Sequence, residues 1–132
     1  GMVGCEAAEY LAERGHEAVV IEMKDVIAAD VTPENRRYMF ANFEEHHVLL
    51  RPSAKVSQFY PDGVDYTLAD GTAGSLRGYD NVVLAMGSRS NAVLKETAEK
   101  VAPQVFVIGE AAKAPGNAVL ATHDALEAAL QI

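Results

Sequence analysis

Gly1 and Gly4 stand three residues apart at the head of a helical stretch, and Glu22 closes a β-branched run eighteen residues after Gly4. Glycine at such places lets a main chain approach a bulky anion and lets a helix pack closely on a strand. The helix start itself offers unpaired N–H groups and the positive end of a dipole. A carboxylate about 20 residues further on accepts hydrogen bonds from the hydroxyls of a ribose. Gly1 and Gly4 have the spacing of the second and third glycines of a G-x-G-x-x-G turn; the first glycine and the first strand of that motif would precede residue 1. A GxxG pair alone is weak, and its weight here comes from the order glycine, helix, strand, acid. In this reading the N–H groups of Met2, Val3 and Gly4 hold a dinucleotide pyrophosphate and Glu22 holds its ribose. A carboxylate at that place repels a 2′-phosphate and favours NAD(H) over NADP(H), while Lys24, two residues later, blurs the preference.

The elements that must position these residues follow from periodicity. CEAAEYLAERG is a strong helix composition, with Cys5, Ala8, Leu11 and Ala12 near one face and Gly15 as its stop. EAVVIE, 17–22, reads as a strand buried on both faces of a parallel sheet. The spacing predicts a helix over 33–45, with Thr32 as N-cap, Pro33 at its first position, and Tyr38, Phe40 and Phe43 available for burial. His47 to Leu50 follows as a short strand. From about 54 to 79, period-two segments are broken by Pro61-Asp62-Gly63 and Asp70-Gly71-Thr72, which predicts an antiparallel meander. NVVLAMG, 81–87, and VFVIG, 105–109, read as further buried parallel strands with a helix over 92–101 between them, and a last helix runs from about 118 to 130. The expected fold class is α/β: a Rossmann-like, three-layer parallel sheet with an inserted β-meander, lacking the usual first strand. An empty slot in the middle of such a sheet would strand two rows of backbone groups. Residues 105–109 are therefore expected to fill it, within one chain or exchanged between two chains, the latter making a homodimer.

GMVGCEAAEYLAERGHEAVVIE, YDNVVLAMGSRSN and VFVIGEAAKAPGNAVLATHDALEAALQI together resemble the C-terminal part of the NADH:flavin oxidoreductases related to 2,4-dienoyl-CoA reductase and trimethylamine dehydrogenase. The resemblance implies two interleaved dinucleotide domains, with the NAD(P) domain inserted into the FAD domain. Residues 1–102 then form the NAD(P)-binding part and 103–132 the return segment that completes the FAD-binding part. Gly1, Met2, Val3, Gly4 and Glu22 become pyridine-nucleotide contacts, and Ala85 to Gly87 the crossover where the chain leaves the NAD domain. Gly109 and Glu110 become the glycine-acid pair at the FAD ribityl or pyrophosphate, where the family more usually has aspartate. The implied function is hydride transfer from NAD(P)H to flavin in the intact enzyme. The flavin-bearing barrel, the cysteine cluster, the first half of the FAD domain and the first strand of the NAD domain have no counterpart here, so a truncated piece, not catalytic alone, is expected. The alternative is a remnant or interaction module that keeps the fold without binding cofactor.

Composition narrows the rest. The 132 residues are 49% hydrophobic and carry a formal net charge of −8, which argues for a folded domain and against nucleic acid or an anionic membrane surface as partner. No apolar run approaches a bilayer span and no signal-peptide pattern opens the chain, so the cytoplasm is the default compartment. A single cysteine, Cys5, excludes an internal disulfide or a multi-cysteine metal site, and reads as a buried packing residue. His46 and His47 lack partners at metal-ligand spacing, and no metal is expected. The serines have no histidine–acid arrangement around them that suggests a nucleophile. His123-Asp124 reads as ordinary helix surface, with a flavin-facing role as the less favoured alternative. Tyr10, Tyr38 and Phe43 read as core.

Overall fold

The computed structural model describes all 132 residues as two compact units, Gly1–Met86 and Gly87–Ile132. In the first unit, helix α1 (Met2–Ala12) leads to strand β1 (Val19–Ile21), helix α2 (Pro33–Glu45) and strand β2 (Leu49–Arg51). β1 and β2 pair in parallel with Val19 opposite Leu49, which is the βαβ geometry that the sequence implies. Strands β3 (Ala54–Tyr60), β4 (Gly63–Leu68) and β5 (Ala73–Arg77) form an antiparallel sheet in chain order, so the meander is where its turns placed it. α1 stops as expected: Gly15 takes φ +83°, its N–H donates to the Ala12 carbonyl at 2.9 Å, and the His16 N–H reaches back to Leu11 at 3.2 Å. α2 starts at Pro33, its first turn closed by Arg36 N–H on the Thr32 carbonyl rather than by the Thr32 side chain.

The core of this unit lies where α1, α2 and the parallel pair meet. Cys5, Ala8 and Ala12 from α1 pack with Val20, Ile27, Ala28, Met39, Phe43 and Val48. Cys5 is fully buried, as its place on the apolar face of α1 implies. Tyr10 and Tyr38 are corrected: they are 56% and 72% exposed, and Met39 takes the buried place on α2. Arg14 lies over the Tyr10 ring, which keeps that apolar face useful at the surface.

The second unit holds a short helix α3 (Lys95–Glu99), a single 3₁₀ turn at Gly109–Ala111 and helix α4 (Ala118–Ala129). α4 follows its sequence pattern, capped by Asn117, whose side chain accepts the Leu120 N–H at 2.9 Å. The helix expected over 92–101 is reduced to five residues.

Three strand expectations fail. Residues 82–86 and 105–109 belong to no sheet, β1 has β2 as its one partner, and β2 begins at Leu49 rather than His47. A strand exists only through its ladder, and an apolar β-branched run without a hydrogen-bonding neighbour has nothing to hold it. Val82, Val83 and Leu84 are accordingly exposed. Within this chain 105–109 does not fill a slot beside β1. His47 sits at φ +57°, a left-handed step between α2 and β2 that delays the strand.

Candidate functional site

The start of α1 and the end of β1 converge. The nitrogen of Gly1 donates to Glu22 Oε2 at 2.8 Å, and the Lys24 N–H donates to Glu22 Oε1 at 3.1 Å. The Glu22 side chain is 16% exposed, so it is held at the rim of the turn rather than free in solvent. The Met2 N–H donates to both carboxylate oxygens of Asp30, at 2.9 and 3.0 Å. The first intrahelical bond runs from Cys5 N–H to the Gly1 carbonyl, so the N–H groups of Val3 and Gly4 lie in the first turn, where a helix supplies no acceptor. Gly4 packs where a side chain would not fit easily: a Cβ on it would lie 3.1 Å from the Ala85 Cβ.

The electrostatics follow from these bonds. The Met2 N–H holds the Asp30 carboxyl below its ordinary range, against a smaller opposing effect of burial. Burial alone would push Glu22 up, but the hydrogen bonds from Gly1 and Lys24 together with nearby positive charge bring it down instead. Burial pushes the Cys5 thiol up, which makes it a poor nucleophile. Both carboxylates are therefore depressed in the folded chain relative to the unfolded one. Their stabilisation is present at neutral pH and is lost as pH falls below about 4, through the folded values. Urea unfolding midpoints measured from pH 7 down to 3 should fall over that acid limb, and Asp30→Asn should flatten the fall.

Gly1, Met2, Val3, Gly4, Glu22 and Ala85 thus lie together in the first unit. Gly87, Gly109 and Glu110 belong to the second. Gly87 takes φ +84° with nothing within 4 Å of the place a Cβ would fill. Glu110 Oε1 accepts from Ser88 Oγ at 3.2 Å and from the Gly116 N–H at 2.8 Å, and the Gly109 N–H donates to Asp124 Oδ2 at 3.0 Å. The glycine-acid pair is therefore tied to its own loop and to α4. The sequence reading gave Asp124 to the helix surface and overlooked Asp30. Asp30 had one available signal: it stands in the loop leaving the carboxyl end of β1, the edge where open α/β sheets place ligand groups.

The start of α1 thus holds one anionic group of the chain itself, the Asp30 carboxylate. No helix is long and apolar enough to cross a membrane.

Comparison with known proteins agrees with this architecture. The family model for pyridine nucleotide-disulphide oxidoreductases matches residues 1–125. An NADH oxidase of Thermoanaerobacter brockii is 35% identical over 133 aligned positions, 100% of this chain and 20% of that protein. A bilirubin reductase of Mediterraneibacter gnavus (strain CC55_001C) is 36% identical over 110 residues, 83% of this chain and 17% of the relative. Among solved structures, a 2-naphthoyl-CoA reductase in complex with 2-naphthoyl-CoA superposes with a TM-score of 0.80 at 29% identity, covering 97% of this chain and 19% of that one. The chain spans about a fifth of the length of these relatives. With the match running through residue 125 and the βαβ start agreeing with it, the chain belongs to the pyridine nucleotide-disulphide oxidoreductase family and has its Rossmann-type FAD/NAD(P)-binding fold.

Proposed function

We propose that residues 1–86 hold the adenosine diphosphate part of NAD(H), and that this chain acts as the nucleotide-binding portion of a flavin-dependent pyridine-nucleotide oxidoreductase. The observation that carries the reading is the place of Glu22 directly after β1, its carboxylate accepting the Lys24 N–H at 3.1 Å, on the same loop side that brings Asp30 to the Met2 N–H at the start of α1. That position supports Glu22 as a ribose acceptor and the start of α1 as the pyrophosphate seat. The N–H groups of Met2, Val3 and Gly4 serve the pyrophosphate, and Glu22 accepts the ribose hydroxyls and disfavours a 2′-phosphate. When bound, the nicotinamide supplies a hydride and the flavin accepts it, with the protein contributing position and electrostatics. The similarity to an NADH oxidase and to a 2-naphthoyl-CoA reductase supports a closer kinship with the NADH:flavin oxidoreductases related to 2,4-dienoyl-CoA reductase and trimethylamine dehydrogenase. On that kinship residues 1–102 are the NAD(P)-binding portion and 103–132 the return into the FAD-binding portion, where Gly109 and Glu110 approach the flavin nucleotide. The net charge of −8 disfavours nucleic acid as a partner.

Isothermal titration with NADH and NADPH tests the reading. NADH should bind more tightly than NADPH, and Glu22→Ala should weaken NADH about ten-fold, as expected when one charge-assisted contact of about 1.4 kcal/mol is removed. It should also narrow the gap to NADPH. A second reading, a module that keeps the fold without cofactor, is favoured by one observation: the Glu110 carboxylate is already bonded to Ser88 and Gly116. No binding of either nucleotide at millimolar concentration, with no flavin absorbance in the purified protein, would establish it.

A further inference from the structure

Asp30 sits in the loop between β1 and α2, and both its oxygens accept the Met2 N–H, at 2.9 and 3.0 Å. It lies close against the turn: a Cβ on Gly1 would stand 3.3 Å from Asp30 Oδ2. On the same turn the Gly1 nitrogen carries the Glu22 carboxylate. Two acidic side chains thus meet at the first residues of one helix, each taking a different nitrogen. One of them, Glu22, has a part in the nucleotide site. The other occupies a donor that a pyrophosphate would need.

We propose that Asp30 is an internal competitor for the nucleotide pyrophosphate at the Met2 N–H, a donor that the two anions cannot share. The inference rests on the dinucleotide reading of the same turn. A single N–H serves one anion well, and a second negative group brought within about 4 Å of the carboxylate meets repulsion on top of the lost hydrogen bond. Asp30 therefore lowers the affinity for ligands in proportion to the charge they bring to α1. It leaves ligands that approach only Glu22 untouched.

The test is titration calorimetry of the 132-residue chain and its Asp30→Asn variant with two probes, ADP and adenosine. Asparagine keeps the shape and an oxygen for the Met2 N–H, so the helix start retains its cap while the charge is gone. Asp30→Ser, a shorter neutral cap, is the second variant should asparagine disturb the loop, and circular dichroism verifies the fold of each. The expected result is ADP binding about ten-fold tighter in the neutral variants, with adenosine unchanged. If the parent binds ADP and the folded variants bind it equally or more weakly, the competitor role is overturned while the dinucleotide reading stands. A uniform gain for ADP and adenosine alike also overturns it, because relief would then not depend on phosphate charge. If no form binds either probe at millimolar concentration, the dinucleotide reading fails and the inference fails with it.

Discussion

Phe43→Ala is expected to lower the stability of this chain by about 3–5 kcal/mol, the range for removing a buried aromatic side chain. Phe43 is 2% exposed and is the largest fully buried side chain, on the face of α2 that meets α1 and β1. The cluster it belongs to includes Cys5, Ala8, Ala12 and Ala28, side chains too small to collapse into the space a phenyl ring leaves. Phe40, with ring centroid 5.7 Å away, would lose its aromatic partner as well. Against a total stability of about 5–15 kcal/mol, such a loss leaves a marginal fold. Urea denaturation followed by circular dichroism should show the midpoint falling with an unchanged slope. Tyr38→Ala, on the same helix but 72% exposed, should cost no more than about 0.5 kcal/mol. Equal losses for the two variants would mean that the core is not centred on Phe43. Because α1 is held on β1 through this core, nucleotide affinity in Phe43→Ala should fall only as far as the folded fraction does.

The contrast between Phe43 and Tyr38 also shows what could be read from the chain. Both stand on one helical pattern, and periodicity alone proposed both for burial. Which stripe faces inward depends on the packing partner, and here the choice fell to Met39 and Phe43 rather than to Tyr38. Elements fixed by local chemistry were legible: Gly15 stops α1, Pro33 starts α2, and the glycine-bearing turns define the meander. Strands that depend on a distant partner were not, and NVVLAMG and VFVIG have strand composition without a ladder. At the candidate site, Gly1, Gly4 and Glu22 were legible because a turn motif fixes their spacing. Asp30 was not, because no motif sets its distance from the glycines and only the folded loop brings it to the Met2 N–H. Asp124 was missed for a related reason. An acid on an amphipathic helix looks solvated until the loop carrying Gly109 packs beside it.

Gly63→Ala should cost about 3 kcal/mol or more, although a single methyl is added at the end of a turn. Gly63 opens β4, the central strand of the meander, opposite Tyr60 on one side and Arg77 on the other. It takes φ +155°, where an L side chain is strained. A Cβ there would fall on the Leu76 carbonyl oxygen, with the carbonyl carbon at 2.9 Å and the Arg77 Cα at 3.1 Å. These are backbone atoms, so no rotamer change relieves the clash and β5 must move. Moving β5 also disturbs the cluster beside it. Arg77 Nη2 pairs with Asp65 Oδ1 at 2.6 Å, Arg77 lies over the Tyr60 ring, and the Tyr60 hydroxyl donates to Asp65 at 3.0 Å. Gly71→Ala is the matched comparison: φ is +86° but nothing lies within 4 Å of the added methyl, so only the left-handed strain of about 1–2 kcal/mol applies. Urea midpoints should place Gly63→Ala well below Gly71→Ala, with the summed tyrosine fluorescence changing in the first variant alone. If the two variants unfold together, close approach of β4 and β5 is not what requires glycine at position 63, and backbone conformation accounts for both.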